Sequence, residues 1–305
     1  MATAAAHPED NPDVFHSLDQ ELAGDREKAV NVLGVRVDPV DLEGALARVA
    51  QLVAIRQKGF VCAAGVHGVL EARRNPQVAR AFAQAALVVP DGRPMVWVGR
   101  MQRHHTIRQV TGPDLMRAIL SRTEFAGRSH FFYGGKPSVA QDLAARWKSE
   151  FPAMRIAGTY TPPFRDLSPS EETELMDVLN KCKPDFLWVG ISTPRQELLM
   201  RRLLPRLNHG VLLGVGAAFD FHTGRIRECS PWIKRLGFQW LHRLMQDPRR
   251  LWRRNLQNMT FLWQIALQLT GLKTYGSQTN LIKGSTAASP HPASTESNSS
   301  AAGSA

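Results

Sequence analysis

The residues of this chain best placed for chemistry sit at the ends of short apolar runs. One such run reads Ala86-Leu87-Val88-Val89, followed by Pro90-Asp91-Gly92. Four apolar residues closed by a proline suit a fully buried strand of a parallel sheet. The ligand crevice of such a sheet lies outside the carboxyl ends of its strands. Asp91 then stands one residue past the buried run, at the edge where that crevice opens. Gly92 lets the backbone turn away sharply. An Asp-Gly turn with no further role is the alternative reading. His67 follows a second apolar run, Phe60-Val61-Cys62-Ala63-Ala64. It could act as a base, bind a ligand, or be a satisfied polar group.

Two strand-to-helix turns add to these. Tyr133-Gly134-Gly135-Lys136-Pro137-Ser138 would expose backbone N–H groups and a helix N-terminus, which together favour an anion. It matches neither GxGxxG nor GxxxxGK[ST], and a plain turn fits it as well. In Gly190-Ile191-Ser192-Thr193-Pro194-Arg195-Gln196-Glu197, Thr193 can cap a helix and Pro194 suits its first position. Gln196 can then point into the crevice and bond a base or sugar in bidentate fashion. Glu197 is read as a binding residue or as a partner of the helix dipole. His104 and His105 lie among arginines without carboxylate or cysteine partners, Asp91 and Asp220 are isolated, and no Asp-x-Asp pair is present. No metal site is expected.

These residues need elements to hold them. Residues 1–28 lack hydrophobic periodicity and read as a flexible acidic leader. Residues 30–37 form one strand by their β-branched content. Asp41 caps a helix with Leu42, Ala45, Leu46, Val49 and Leu52 at helical spacing. A strand over 60–64 leads into a helical stretch broken at Asn75-Pro76. After Asp91 come a short helix around Pro94-Met95-Val96-Trp97, a basic patch at 100–108, and the loop Thr111-Gly112-Pro113-Asp114 feeding another helix. Strands at 129–133, 154–160, 185–190 and 210–216 then alternate with helices at 139–151, 168–181 and from 193 onward. The alternation implies an α/β fold, a Rossmann-like, mainly parallel sheet with helices on both faces, over residues 29–224.

The rest is helical and basic. Leu256, Met259, Leu262, Trp263, Ala266, Leu267 and Leu269 give an apolar face, and Gln257, Gln264 and Gln268 a polar stripe. Behind an arginine-rich run, such a helix suits anionic headgroups; one packed on the domain or in a dimer fits equally. Residues 225–273 are therefore read as a basic, amphipathic membrane-association appendage, and 274–305 as a disordered tail.

Composition narrows the function classes. The chain has 305 residues, 43% hydrophobic, with a net charge of +11, so a phosphorylated or polyanionic partner is expected. Cys62, Cys182 and Cys229 are scattered, which fits a reducing cytoplasm rather than a disulfide scaffold. There is no signal-peptide pattern and no apolar run long enough to span a membrane. A nicotinamide oxidoreductase would carry GxGxxG after an early strand, which is absent. A nucleic-acid binder would interleave its arginines with stacking aromatics; here they cluster beside an apolar helix.

Taken together, the ordered motifs resemble the bacterial WecG/TagA/CpsF family of N-acetylmannosaminyltransferases, over about residues 31–269. The resemblance rests on Pro90-Asp91-Gly92, Thr111-Gly112-Pro113-Asp114-Leu115, Gly134-Gly135, Lys183-Pro184-Asp185 with Val189-Gly190, and Pro194-Arg195-Gln196-Glu197. It continues in Gly214-Val215-Gly216-Ala217-Ala218-Phe219-Asp220, in Arg235-Leu236-Gly237-Phe238-Gln239-Trp240, and in Arg249-Arg250-Leu251-Trp252-Arg253-Arg254.

The resemblance implies an inverting transferase that needs no metal or other cofactor. It would move N-acetylmannosamine, its uronate or a related sugar from a UDP donor to a sugar on a polyprenyl diphosphate. The setting would be cell-surface polysaccharide synthesis at the cytoplasmic face of the membrane. Asp91 matches the general base and Gln196 a residue of the donor pocket. Arg249, Arg250 and Arg253 match arginines that close over the departing diphosphate. His67, Gly92, Arg108, Gln109, Asp114, Gly134, Gly135 and Glu197 complete the expected binding set. Expected partners are the donor, the lipid-linked acceptor, an anionic membrane surface and a homo-oligomer, without nucleic acid. Three features depart from the family pattern. Ala63 and Gly65 stand where many members have a Thr-x-Asn pair, Gln109 stands for an arginine, and Glu228-Cys229-Ser230 replaces Arg-Ala-Pro. A catalytically impaired relative that binds nucleotide or lipid in an assembly complex is the competing reading.

Overall fold

A computed structural model describes residues 28–226, 244–245 and 248–276, and for 248–256 the course of the helix alone. The leader and the tail fall outside the described residues, as does most of the arginine-rich segment before 248.

The chain opens with a hairpin where one strand was expected. β1 (Val30–Val32) and β2 (Val35–Val37) pair antiparallel, with Val30 opposite Val37. Leu33 and Gly34 turn the chain at φ 52° and 93°. Two successive positive φ values match the right-handed twist of hairpin strands, and a leucine there hides the signal. Then follow α1 (Leu42–Ala54), β3 (Gly59–Ala64), α2 (Val66–Arg74), α3 (Pro76–Gln84), β4 (Leu87–Pro90) and α4 (Arg93–Met101). The second half holds α5 (Gly112–Ser121), β5 (Ser129–Gly134), α6 (Val139–Glu150), β6 (Arg155–Tyr160), α7 (Pro169–Cys182) and β7 (Phe186–Gly190). It closes with α8 (Arg195–Leu203), β8 (Val211–Gly214), α9 (Ala218–His222) and α10 (Pro248–Leu269).

β3 to β8 form a six-stranded sheet in the order β4-β3-β8-β7-β5-β6, parallel at every pairing. The interior strands are mostly apolar, as burial on both faces requires, with Ser129 and His130 of β5 the buried polar exceptions. On one face β1, β2, α2, α3, α7 and α8 build a core around Phe60, Phe82 and Leu203. On the other, α1, α5, α6 and α9 pack around Trp147, Trp188 and Phe219. The α/β architecture is the expected one.

Local signals explain where the helices start. Asp41 accepts from Gly44 N–H, Thr111 from Asp114 N–H, and Asn75 from Gln77 N–H where the helical stretch breaks. Ser168 and Glu171 form a reciprocal capping box, which satisfies two otherwise orphaned donors. α8 departs from expectation: Pro194 itself caps it after a cis Thr193–Pro194 bond. The Thr193 hydroxyl donates sideways to Glu197.

Candidate active site

All six parallel strands end on one rim. There the loops after β4, β3, β8, β7 and β5 present Asp91, Gly65, Gly216, Thr193 and Gly135 in that spatial order. β5 sends its chain outward to β6, while its neighbour β7 sends it back to β8. Adjacent strands whose connections diverge open a crevice beyond their carboxyl ends. Gly134 and Gly190 face each other at that point.

Asp91 is half-buried, directly after β4, and its N–H donates to Ala64 O at 2.9 Å. Gly92 follows at φ 121°, a conformation costly for any side chain, and launches α4. Gly65, one of the positions read as departing from the family pattern, lies against Asp91: a Cβ there would stand 2.9 Å from Asp91 O. The missing side chain thus lets the Asp91 loop approach β3 more closely than an asparagine would permit. His67 lies on the first turn of α2, its Nδ1 3.9 Å from Glu71 Oε1. The segment 108–110 runs beside the same strand end, with Arg108 N–H bonded to Val40 O and Val110 N–H to Pro90 O. That brings Gln109 next to Asp91 in the fold. The Arg108 guanidinium folds back onto His105 O and Ile107 O.

Gln196 and Glu197 are buried at 2% and 0% exposure. Gln196 Oε1 accepts from Gly216 N–H at 3.0 Å, and its Nε2 donates to Glu197 Oε1 at 2.9 Å. Thr193 Oγ1 donates to that same carboxylate oxygen at 2.9 Å. The amide therefore braces the start of α8 against the loop after β8, and Glu197 fixes which way it is turned. A Cβ on Gly214 would come within 3.1 Å of Gln196 Nε2, so that glycine makes room for the brace. Thr193 and Gly216 are the partners that sequence reasoning missed. A main-chain donor across the sheet leaves no local mark in a sequence. Cys62 lies beneath this cluster; burial, then the Glu197 carboxylate, push its thiol well above the ordinary value, leaving it without nucleophilic character.

The paired glycines have a packing reason. A Cβ on Gly134 would stand 2.5 Å from Gly190 O, and one on Gly135 2.7 Å from the Val139 side chain. Gly135 N–H donates to Gly190 O at 3.2 Å. Asp114 is engaged in capping: Thr111 Oγ1 donates to its Oδ2 at 2.6 Å. Beyond the rim glycines, Tyr133 and Tyr160 stack at 5.4 Å between centroids. Burial, then the neighbouring Tyr160, hold the Tyr133 phenol far above its ordinary pKa. Among the described residues no three His, Cys, Asp or Glu side chains gather as a metal site would require.

α10 corrects the reading of its faces. Phe261 and Ile265 are buried in the domain core, and Gln268, read as part of a polar stripe, is docked on the domain. Its Nε2 donates to Asn31 O at 2.8 Å and its Oε1 accepts from Leu33 N–H at 2.9 Å. Met259, Leu262 and Trp263 face outward. The helix thus packs on the domain and still exposes an apolar stripe. With apolar residues on both sides, periodicity could not say which faced in. Arg249, Arg250 and Arg253 fall on its first turns, and their side chains lie outside the described residues.

Comparison with known proteins agrees with this geometry. A sequence profile described as the glycosyl transferase WecG/TagA/CpsF family matches residues 30–275, from β1 to just past α10. Two similar proteins are both named N-acetylglucosaminyldiphosphoundecaprenol N-acetyl-beta-D-mannosaminyltransferase. That of Bacillus spizizenii is 27% identical over 65% of this chain and 74% of its own length. That of Bacillus subtilis is 25% identical over 66% of this chain and 80% of its own. With the profile covering every strand of the sheet and every loop of its rim, the chain belongs to the WecG/TagA/CpsF family of glycosyl transferases.

Proposed function

We propose that this protein is an inverting, metal-independent glycosyltransferase. It moves N-acetylmannosamine, its uronate or a related sugar from a UDP donor to a polyprenyl-diphosphate-linked sugar in cell-surface polysaccharide synthesis. The placement of Asp91 carries the reading: β4 delivers one carboxylate to the carboxyl rim, on the same edge as the crevice at Gly134 and Gly190. The names of the two relatives, which specify a diphosphoundecaprenol-linked N-acetylglucosamine, support the acceptor class.

The step follows from this arrangement. The Asp91 carboxylate takes the proton of an acceptor hydroxyl as its oxygen attacks the anomeric carbon. The bond from that carbon to the nucleoside diphosphate breaks on the opposite face, which inverts the configuration. Guanidinium groups of Arg249, Arg250 and Arg253 stabilise the charge on the departing diphosphate. Gln196 and Glu197, held by Thr193 and Gly216, fix the floor of the donor pocket beneath the sugar. The protein works peripherally at the inner membrane face; no helix among the described residues is long and apolar enough to cross a membrane.

The test offers a panel of UDP-sugars with a synthetic N-acetylglucosaminyl polyprenyl diphosphate. Sugar transfer with inversion, unaffected by a chelator, is expected. In parallel, UDP at 100 times its dissociation constant should stabilise the fold by about 2.7 kcal/mol. No melting shift with any uridine nucleotide would remove the donor from the reading.

A further inference from the structure

The helix that leaves the candidate base carries a second feature. Trp97 and Met101 are four residues apart on α4, hence on one face, and are 50% and 64% exposed. Arg100, Arg103, His105 and Arg108 are exposed around them. Between Asp91 and Asp114 the sequence holds four arginines and two histidines with no acidic residue. Arg100 and Arg103 make no ion pair among the described residues. The face is rigidly presented. Met95, Val96 and Val98 are buried beneath it, and Gly99 packs so tightly that a Cβ would meet Ile107 at 2.8 Å. Gln102 at its end exchanges two hydrogen bonds with the Asn31 main chain, at 2.7 and 3.0 Å.

We infer that this face of α4 is a lipid-contact ledge, seated on an anionic bilayer beside the site where the acceptor is activated. The inference rests on the acceptor being lipid-linked, as proposed above. Three observations favour a bilayer as the occupant. A half-exposed tryptophan next to an aliphatic thioether, ringed by arginines, has the composition of a headgroup-level contact. The unbroken positive charge complements an anionic leaflet. The position fits as well: α4 starts at Asp91–Gly92, so Trp97 lies only about 9 Å along the helix from the base. A lipid entering at Trp97 and Met101 needs only its sugar diphosphate to bridge to Asp91. α10 is fastened to the same Asn31 carbonyl through Gln268, so its outward Met259, Leu262 and Trp263 and the α4 ledge are tied to one point of the fold.

Two paired variants of the full chain test this. Trp97→Ser with Met101→Ser removes the apolar contact, and Arg100→Gln with Arg103→Gln removes the charge. Binding is read by co-sedimentation with vesicles of phosphatidylcholine and phosphatidylglycerol, against phosphatidylcholine alone. Each pair should weaken binding to the mixed vesicles by about tenfold. Because all four side chains are exposed, melting and transfer to a short-chain, water-soluble acceptor should stay at the wild-type level. Transfer to a long-chain acceptor embedded in the vesicles should fall with the binding. Wild-type vesicle binding by either pair overturns the proposal and would leave α10 as the contact. An absence of transfer by the wild-type chain would instead count against the proposed function, since sedimentation reads the ledge without any chemistry.

Discussion

At the amino edge of the sheet Asp185 stands just before β7; at the carboxyl edge Asp91 stands just after β4. Asp185 accepts from Ser129 Oγ at 2.7 Å and Ser129 N–H at 2.8 Å, with His209 Nε2 at 3.4 Å and Arg128 Nη1 at 3.5 Å. Burial alone would raise its carboxyl, but the Ser129 bonds, with His209 and Arg128, hold it below the ordinary value. It is a rivet joining the starts of β5, β7 and β8. Along the rim that carries Asp91 the loops are built on glycine: Gly65, Gly92, Gly134, Gly135, Gly190 and Gly216 end or follow the strands. Main-chain atoms approach closely there: a Cβ on Gly65 or Gly134 would stand 2.9 or 2.5 Å from a carbonyl oxygen. One carboxylate is enclosed by donors and the other is placed on a rim, and that difference separates a structural acid from a candidate reagent within a single motif set.

Breaking this contrast begins with Asp91→Asn. Transfer should fall by about 10²–10⁴-fold while the melting temperature holds, and undiminished turnover would erase the distinction between the edges. Gly65→Ala should cost about 10²-fold in kcat, because its Cβ pushes on Asp91 O and a displacement near 1 Å is that damaging. UDP should still raise the melting temperature of this variant; loss of that shift would place the damage in the pocket rather than at the base.

Asp185→Ala should show the converse pattern. Unfolding by urea should reveal about 1–3 kcal/mol of lost stability, from buried donors left without an acceptor, with kcat unchanged. The sign of the pH effect follows from the depressed carboxyl. Its contribution is present above the unfolded-state value and is lost as pH falls through the lower folded-state value. Below about pH 4 the wild-type chain should therefore lose stability more steeply than Asp185→Asn, and parallel acid limbs would show that Asp185 is not the rivet. The smallest effect belongs to Gln268→Ala, about 1 kcal/mol, read as faster hydrogen exchange at the Leu33 amide.

Much of this was legible before any coordinates. Asp41 announced its helix as a cap, and the helix starts after the Thr111–Asp114 loop and at 168 were legible too, because a helix start is a local event written in adjacent residues. The buried strands and Asp91 behind β4 were legible too, since parallel strands have apolar residues on both faces. What escaped were relations made across the fold. Leu33 at positive φ concealed a hairpin inside a β-rich run. Gln196 was expected to reach outward, but its donor is Gly216 N–H, past the end of the neighbouring strand, and its acceptor is the adjacent Glu197 carboxylate. Phe261 and Ile265 were passed over because α10 is apolar on more than one side.

The hairpin carries one more consequence. Asn31 in β1 and Leu33 just past it form an open edge, and among the described residues no strand covers it; the side-chain amides of Gln102 and Gln268 do. A bare edge is a template for pairing with another chain. Gln102 is synthesised soon after, but Gln268 lies 237 residues downstream of Asn31. On a ribosome adding about 5–20 residues per second, the first strand waits roughly 12–50 s for its last cover. For that interval the nascent chain depends on whatever shields its amino-terminal edge during synthesis, and the final helix acts as the closing clasp of a fold begun at the other end.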